Sequence, residues 1–205
     1  MKRGLLTIIF SLCAFAAIGG NTSTDKLTKF TYGAEWSYAA SFYTADHYNF
    51  YAPEGHRENL ENSRFEYNSD GDIMLHIGYN LNTNWNLALY VGYTALAKYH
   101  PAIPVSVRAT RFFGADHLAN RWFTFADAGS GFSIKPRPEG ILSGKLGGGY
   151  RVSLSRYTKL DFLAALRYFY THPNIEYYDE IIDYKDINRN NAHVVSLSVG
   201  VSLTF

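Results

Sequence analysis

The sequence predicts an all-β chain folded as an eight-stranded antiparallel transmembrane up-and-down β-barrel. Three observations predict it. Alternation of apolar with small or polar residues recurs eight times after residue 28, the mark of strands with two unlike faces. Aromatic residues make up 17% of the 205 residues and charged residues only 18%, against about a quarter charged in a soluble domain. Beyond residue 28 no segment is apolar for long enough to be a helical span. A closed barrel can still cross a membrane, because closure satisfies every backbone hydrogen bond.

The N-terminus reads Met1, Lys2, Arg3, then a mostly apolar stretch over 5–18, then Gly19, Gly20 and a polar run from Asn21. Basic, apolar, then small is the order of a secretory signal peptide. Ala17 and Gly19 suit the small positions before a cut, so 1–19 is expected to be removed. The stretch is too short for the roughly twenty residues of a spanning helix. A short periplasmic segment over 20–28 then leads into the barrel, 29–205. Cys13, the single cysteine, would leave with the signal, so neither disulfide nor metal–thiolate site is expected. Its reading as a lipoprotein cysteine conflicts with Leu12, which stands where a small residue is needed. A formal net charge of +1 carries no polybasic signature, and no nucleic-acid partner is expected.

The first strand sets Phe30, Tyr32, Ala34, Trp36, Tyr38, Ala40 and Phe42 against Thr31, Gly33, Glu35, Ser37, Ala39 and Ser41. The second sets Ile73, Leu75, Ile77, Tyr79 and Leu81 against Met74, His76, Gly78 and Asn80; the third sets Trp85, Leu87, Leu89, Val91 and Tyr93 against Asn86, Ala88, Tyr90, Gly92 and Thr94. The fourth and fifth, over 105–113 and 123–132, are less regular. The sixth alternates from Lys145 to Leu154 and the seventh from Leu160 to Phe169. The eighth runs Val195, Leu197, Val199, Val201, Leu203, Phe205 against Ser196, Ser198, Gly200, Ser202, Thr204.

Connections are short at 82–84 and 155–157, intermediate at 114–120, and long near 44–71 and 171–192. Short turns at one end and long loops at the other are the asymmetry of outer-membrane barrels, and the even count puts both termini on the periplasmic side. The first long loop mixes Tyr48, Phe50, Tyr51, Phe65 and Tyr67 with charges; the last holds Tyr177, Tyr178, Asp179, Glu180, Asp183, Tyr184, Lys185 and Asp186. Such loops fit contact with protein, glycan or lipopolysaccharide, and equally fit packing on one another.

Periodicity alone leaves open a soluble lipocalin-like ligand carrier, whose apolar face lines the interior. Three features favour the membrane. The other face carries Gly, Ser, Ala and Asn with few charges, as a crowded lumen would. Aromatic residues mark strand ends: Trp85 and Tyr93 lie about 27 Å apart along a strand, or about 20 Å of height once tilted. The apolar face closes on Phe205.

That terminal strand, with Val199, Val201, Leu203 and Phe205 alternating, resembles the assembly signal of bacterial outer-membrane proteins. The resemblance implies the cell outer membrane of a Gram-negative bacterium as location, with outer-membrane lipid, lipopolysaccharide and the barrel assembly machinery as partners. Phe30 to Trp36 (FTYGAEW) and Ile77 to Asn80 (IGYN) resemble small porin-family barrels of Bacteroidetes.

An eight-stranded barrel is just wide enough for side chains to fill. Parity puts Glu35, His76, Arg108, Lys145, Arg151, Asp161 and Arg167 inside, and Asp127 with them if a bulge shifts the fifth strand after Phe125. A turn centred on Arg156 sets Arg151 opposite Asp161, and Lys145 opposite Arg167, two cations that Glu35 or Asp127 would balance. The network is expected to be structural, a plug of the kind a barrel resembling the OmpA or OmpX type would carry.

Catalysis is not expected. The lipid A deacylase family places a Ser two residues after a His near the outer end of a late strand; here His172 is followed by Pro173 and Asn174. The segment 140–146, GILSGKL, imitates a phosphate loop but is one residue short and lacks the Ser or Thr after Lys145. Asn21 to Ser23 spells a glycosylation acceptor without meaning in this compartment. His47, His56, His100 and His172 are scattered with no zinc spacing, and no cofactor or metal is expected. The preferred function is envelope integrity or surface interaction through the loops; a lipid A-modifying enzyme and a narrow channel are the rivals.

Overall fold

The computed structural model describes residues 27–95, 101–114, 116–134, 140–178 and 180–205. The expected signal segment with Cys13, the Asn21 to Ser23 acceptor and His100 lie outside the described residues.

The strands are β1 (Phe30–Tyr51), β2 (Arg57–Asn80), β3 (Trp85–Ala95), β4 (Ala102–Phe112), β5 (Arg121–Ser133), β6 (Gly140–Ser153), β7 (Lys159–Thr171), the short pair β8 (Glu176–Tyr177) and β9 (Glu180–Ile181), and β10 (Ile187–Thr204). Seven strands and β10 close into one ring in the order β1, β10, β7, β6, β5, β4, β3, β2, every neighbour antiparallel. The ring has no edge within the membrane, which is what lets strands cross it. Among the described residues no helix is long and apolar enough to cross a membrane.

The turns at the end holding both described termini are tight. Asn82 Oδ1 accepts from the backbone N–H groups of Asn84 and Trp85 at 2.8 and 2.9 Å, and Ser155 Oγ accepts from that of Thr158 at 3.0 Å. Such side-chain capping is why Asn and Ser suit these turns.

The opposite end differs from the sequence expectation. Most of 44–71 is paired strand: β1 and β2 run together from Phe30↔Tyr79 to Tyr51↔Arg57, and the connection is 52–56. A register shift between Ser41 and Tyr43, present against both β2 and β10, leaves Phe42 out of the pairing. A bulge of this kind reverses which parity faces inward: inward positions are Glu35, Ser37, Ala39 and Ser41 below it, Thr44 and Asp46 above it. β3 pairs with β2 only over Gly71–Asn80, so the upper parts of β10, β1 and β2 stand above the barrel as a raised three-stranded sheet. The expected loop 171–192 contains β8, β9, a 3-10 turn (Tyr184–Asp186) and the start of β10. Ile175 and Ile182 from this segment pack on Phe50 and Ala52, covering one face of the raised sheet.

Candidate functional site

The apolar parity faces outward. On β2, Ile73, Leu75 and Ile77 are 55%, 53% and 57% exposed while Met74 and His76 between them are 4% and 8% exposed. Leu87, Leu89, Val105, Val107, Leu146, Phe162, Leu166, Leu197 and Val199 extend this exposed apolar surface around the ring. A continuous apolar exterior of that kind is ruled out in water and required in lipid. Aromatic pairs border it: Phe30–Tyr79, Tyr32–Phe205 and Trp122–Tyr150 toward the turn end, with ring centroids 5.2, 5.7 and 5.0 Å apart, and Tyr43–Phe65 at 5.3 Å toward the raised end. Tyr38 and Tyr67 join the second girdle through their hydroxyls.

The inside is polar and crowded. Arg108 on β4 crosses to β1, its Nη1 and Nη2 donating to Glu35 at 2.5 and 3.1 Å, while Nε and Nη2 donate to Asp127 on β5 at 3.1 and 3.0 Å. It also donates to the Tyr90 hydroxyl at 3.1 Å, and its guanidinium carbon lies 4.0 and 4.4 Å from the Tyr90 and Phe125 ring centroids. Lys145 on β6 stands 3.7 Å from Glu35 and 2.9 Å from Asp72. Asp72 accepts from Arg167 on β7 at 2.7 Å, and Arg167 also binds Asp70 at 2.9 Å. Asp70, Arg167, Asp72, Lys145, Glu35, Arg108 and Asp127 thus form one chain of ion pairs through six of the eight ring strands. Ser37, Thr94 and Ser41 donate to its carboxylates, so the buried charges are both paired and hydrogen-bonded, as burial demands.

Nearer the turn end, Arg151 holds Asp161 through Nε and Nη2 at 2.7 and 2.6 Å, and these residues are direct cross-strand neighbours. His76 stacks on Tyr90 with ring centroids 4.8 Å apart. A cavity of about 30 Å³ lies between this layer and Arg108, room for a water or two.

All eight sequence-selected lumenal residues face inward, but two details of the expected arrangement are corrected. The partners of Lys145 and Arg167, cross-strand neighbours as expected, come chiefly from Asp72 and Asp70; Glu35 contributes only to Lys145, and Asp127 serves Arg108. Asp127 also needs no bulge: β5 runs without a register shift, with Phe123 and Phe125 buried on the same inward parity. Asp70 and Asp72 were missed because Asn68-Ser-Asp-Gly-Asp72 reads as a turn, although the alternation of Met74 and His76 continued backward reaches both.

Outside the lumen, His172 Nδ1 lies 2.6 Å from the Asn190 carbonyl oxygen, His47 lies against Asn59 and Arg189, and His56 against Glu58. Among the described residues no group of three or more His, Cys, Asp or Glu could hold a metal ion.

An even ring of antiparallel strands, an apolar exterior between aromatic girdles, short turns at one end and a taller opposite end together are the build of one class of protein. The chain is an eight-stranded outer-membrane β-barrel. No protein-family model matches it, and no curated protein matches its sequence. Among solved structures, the barrel is similar to Neisserial surface protein A, at 14% identity over 87% of this chain and 98% of that one, TM-score 0.47. It is also similar to the N-terminal β-barrel domain of Pseudomonas aeruginosa OprF, at 14% identity over 83% and 97%, TM-score 0.40. A third is Ail, the attachment invasion locus protein of Yersinia pestis, at 15% identity over 87% and 100%, TM-score 0.35.

Proposed function

We infer that this barrel is a non-enzymatic outer-membrane protein with a sealed lumen, acting by surface contact through its raised sheet and not by passing solutes. The observation that carries the sealed lumen is the ion-pair chain from Asp70 to Asp127, whose members are buried. In this reading Glu35, His76, Arg108, Asp127, Lys145, Arg151, Asp161 and Arg167 are structural. Opening a path would strand charges that are costly to leave unpaired.

Surface contact is supported by the shape of the raised sheet. Among the described residues, 57–69 of β2 pair with β1 alone, an edge that can accept an extended partner. Phe65 and Tyr67, 83% and 69% exposed, stand on that strand. Lipopolysaccharide is the proposed neighbour at the upper girdle and the barrel assembly machinery the proposed reader of Val199, Val201, Leu203 and Phe205. The proposed Bacteroidetes-type origin rests on the segments 30–36 and 77–80, of which 30–32 pair with 77–79 in the sheet.

The refolded chain, placed in planar bilayers, is expected to give no stepwise conductance; steady openings from most molecules would overturn the sealed lumen. Cells displaying the chain are expected to be retained on immobilised glycan or protein surfaces, and to lose retention when 43–67, which includes Phe65 and Tyr67, is replaced by a two-residue turn. Equal retention would place the contact elsewhere.

A further inference from the structure

The turn end of the lumen opens into a cavity of about 50 Å³ lined by Arg121, Arg151, Arg156 and Lys159. One water needs roughly 10–15 Å³ of such space, so a tetrahedral oxyanion fits. Among the described residues, the carboxylates whose charge reaches Arg121 and Lys159 are Asp161 and Asp116. Arg121 and Arg151 are direct cross-strand neighbours, two guanidinium groups on one inward face, and the carboxylate beside them, Asp161, is gripped by Arg151 through two hydrogen bonds. Arg121 is 7% exposed, and among the described residues its side chain donates only to the backbone carbonyl of Thr83, at 2.6 Å. Its plane lies over the Phe112 ring, and its Nε is buried with no partner. Lys159, 8% exposed, donates to Ser153 Oγ at 2.8 Å and the Ser155 carbonyl at 2.9 Å, neither of them charged. Among the described residues, the side-chain hydrogen bonds of these two buried cations thus go to neutral acceptors, at a mouth that faces the periplasm. Unpaired buried charge is costly, and guanidinium and ammonium groups together are a favoured receptor for phosphate oxygens.

We propose that Arg121 and Lys159 form a phosphate-group binding site at the periplasmic mouth of the barrel. The group comes either from free phosphate in the periplasm or from a phospholipid headgroup of the inner leaflet, whose level the Trp122–Tyr150 and Tyr32–Phe205 pairs mark.

The full chain is refolded in a sugar-based, phosphate-free detergent and titrated by calorimetry with inorganic phosphate, with short-chain phosphatidylglycerol, and with chloride at matched ionic strength. Saturable binding of inorganic phosphate, weakened at least tenfold in Arg121→Gln and in Lys159→Gln, supports the site with the free ion as ligand. Saturation by the lipid alone, with the same loss in both variants, supports it with the headgroup as ligand. Heat-modifiable gel mobility confirms that each variant is folded, and Arg121→Lys, which keeps the charge, is expected to retain part of the affinity. No saturable binding of either ligand, an equal response to chloride, or undiminished binding in both folded variants overturns the proposal.

Discussion

Arg167 and Asp72, separated by 95 positions in sequence, meet at 2.7 Å in the barrel interior, and Arg167 is fully buried with Asp70 as its second carboxylate. The β7 cation is thereby tied across the lumen to a part of β2 that the sequence alone reads as loop.

Replacing Arg167 with Met should leave two buried carboxylates short of their cation, at a cost of about 3–5 kcal/mol. Denaturant unfolding from lipid vesicles measures it. Adding Asp70→Asn to the same chain should cost less than the sum of the two single changes, because it removes one of the stranded charges.

Glu35 and Arg108 bridge β1 to β4 across the lumen. Truncating both to Ala removes the bridge and leaves Asp127 without its cation. Brief conductance steps in planar bilayers are expected from this double variant and not from the parent; silence from both would mean that the remaining side chains seal the lumen alone.

Gly33 makes room for the His76 ring. A Cβ at this position would lie 2.0 Å from the Leu203 carbonyl oxygen and 2.7 Å from His76 Cε1. Gly33→Ala should therefore destabilise the barrel by about 1–3 kcal/mol, the usual cost of overpacking. The readout is a lower midpoint temperature for loss of the compact band on gels run without boiling.

Much of this was legible in the sequence, and the exceptions have physical causes. β2 over 73–80, β3, β6, β7 and β10 announce themselves because lipid on one side and a packed lumen on the other impose unlike faces. β4 and β5 blur because Phe112, Phe123 and Phe125 fill the lumen beneath Arg108 and Arg121, making both faces apolar. The upper halves of β1 and β2 are silent for the converse reason. Above the membrane neither face of β2 meets lipid, Phe42 breaks the register, and 57–69 is exposed on nearly every residue. Asp70 and Asp72 sit where these regimes meet, so half of the carboxylates in the ion-pair chain escaped the alternation. Arg121 and Lys159 escaped because each is the first residue of its strand, where parity has only one neighbour to speak for it.

Leu75 lies in the middle of the lipid-facing row of β2, between Ile73 and Ile77. Arg at this position should cost about 2–4 kcal/mol, against about 0–1 kcal/mol for a cation near the interface. Comparing Leu75→Arg with Tyr79→Arg by unfolding from vesicles checks the depth dependence.

The direction in which the strands present their apolar faces is the claim on which the rest depends, and spin labels report it directly. Single cysteines are placed at 73, 74, 75, 76 and 77 in a chain carrying Cys13→Ser, labelled, and reconstituted in bilayers. Oxygen, which concentrates in lipid, should collide often with labels at 73, 75 and 77 and rarely at 74 and 76. The reverse order, or equal access of a water-soluble relaxant at 73, 75 and 77, would contradict an exterior built for the membrane.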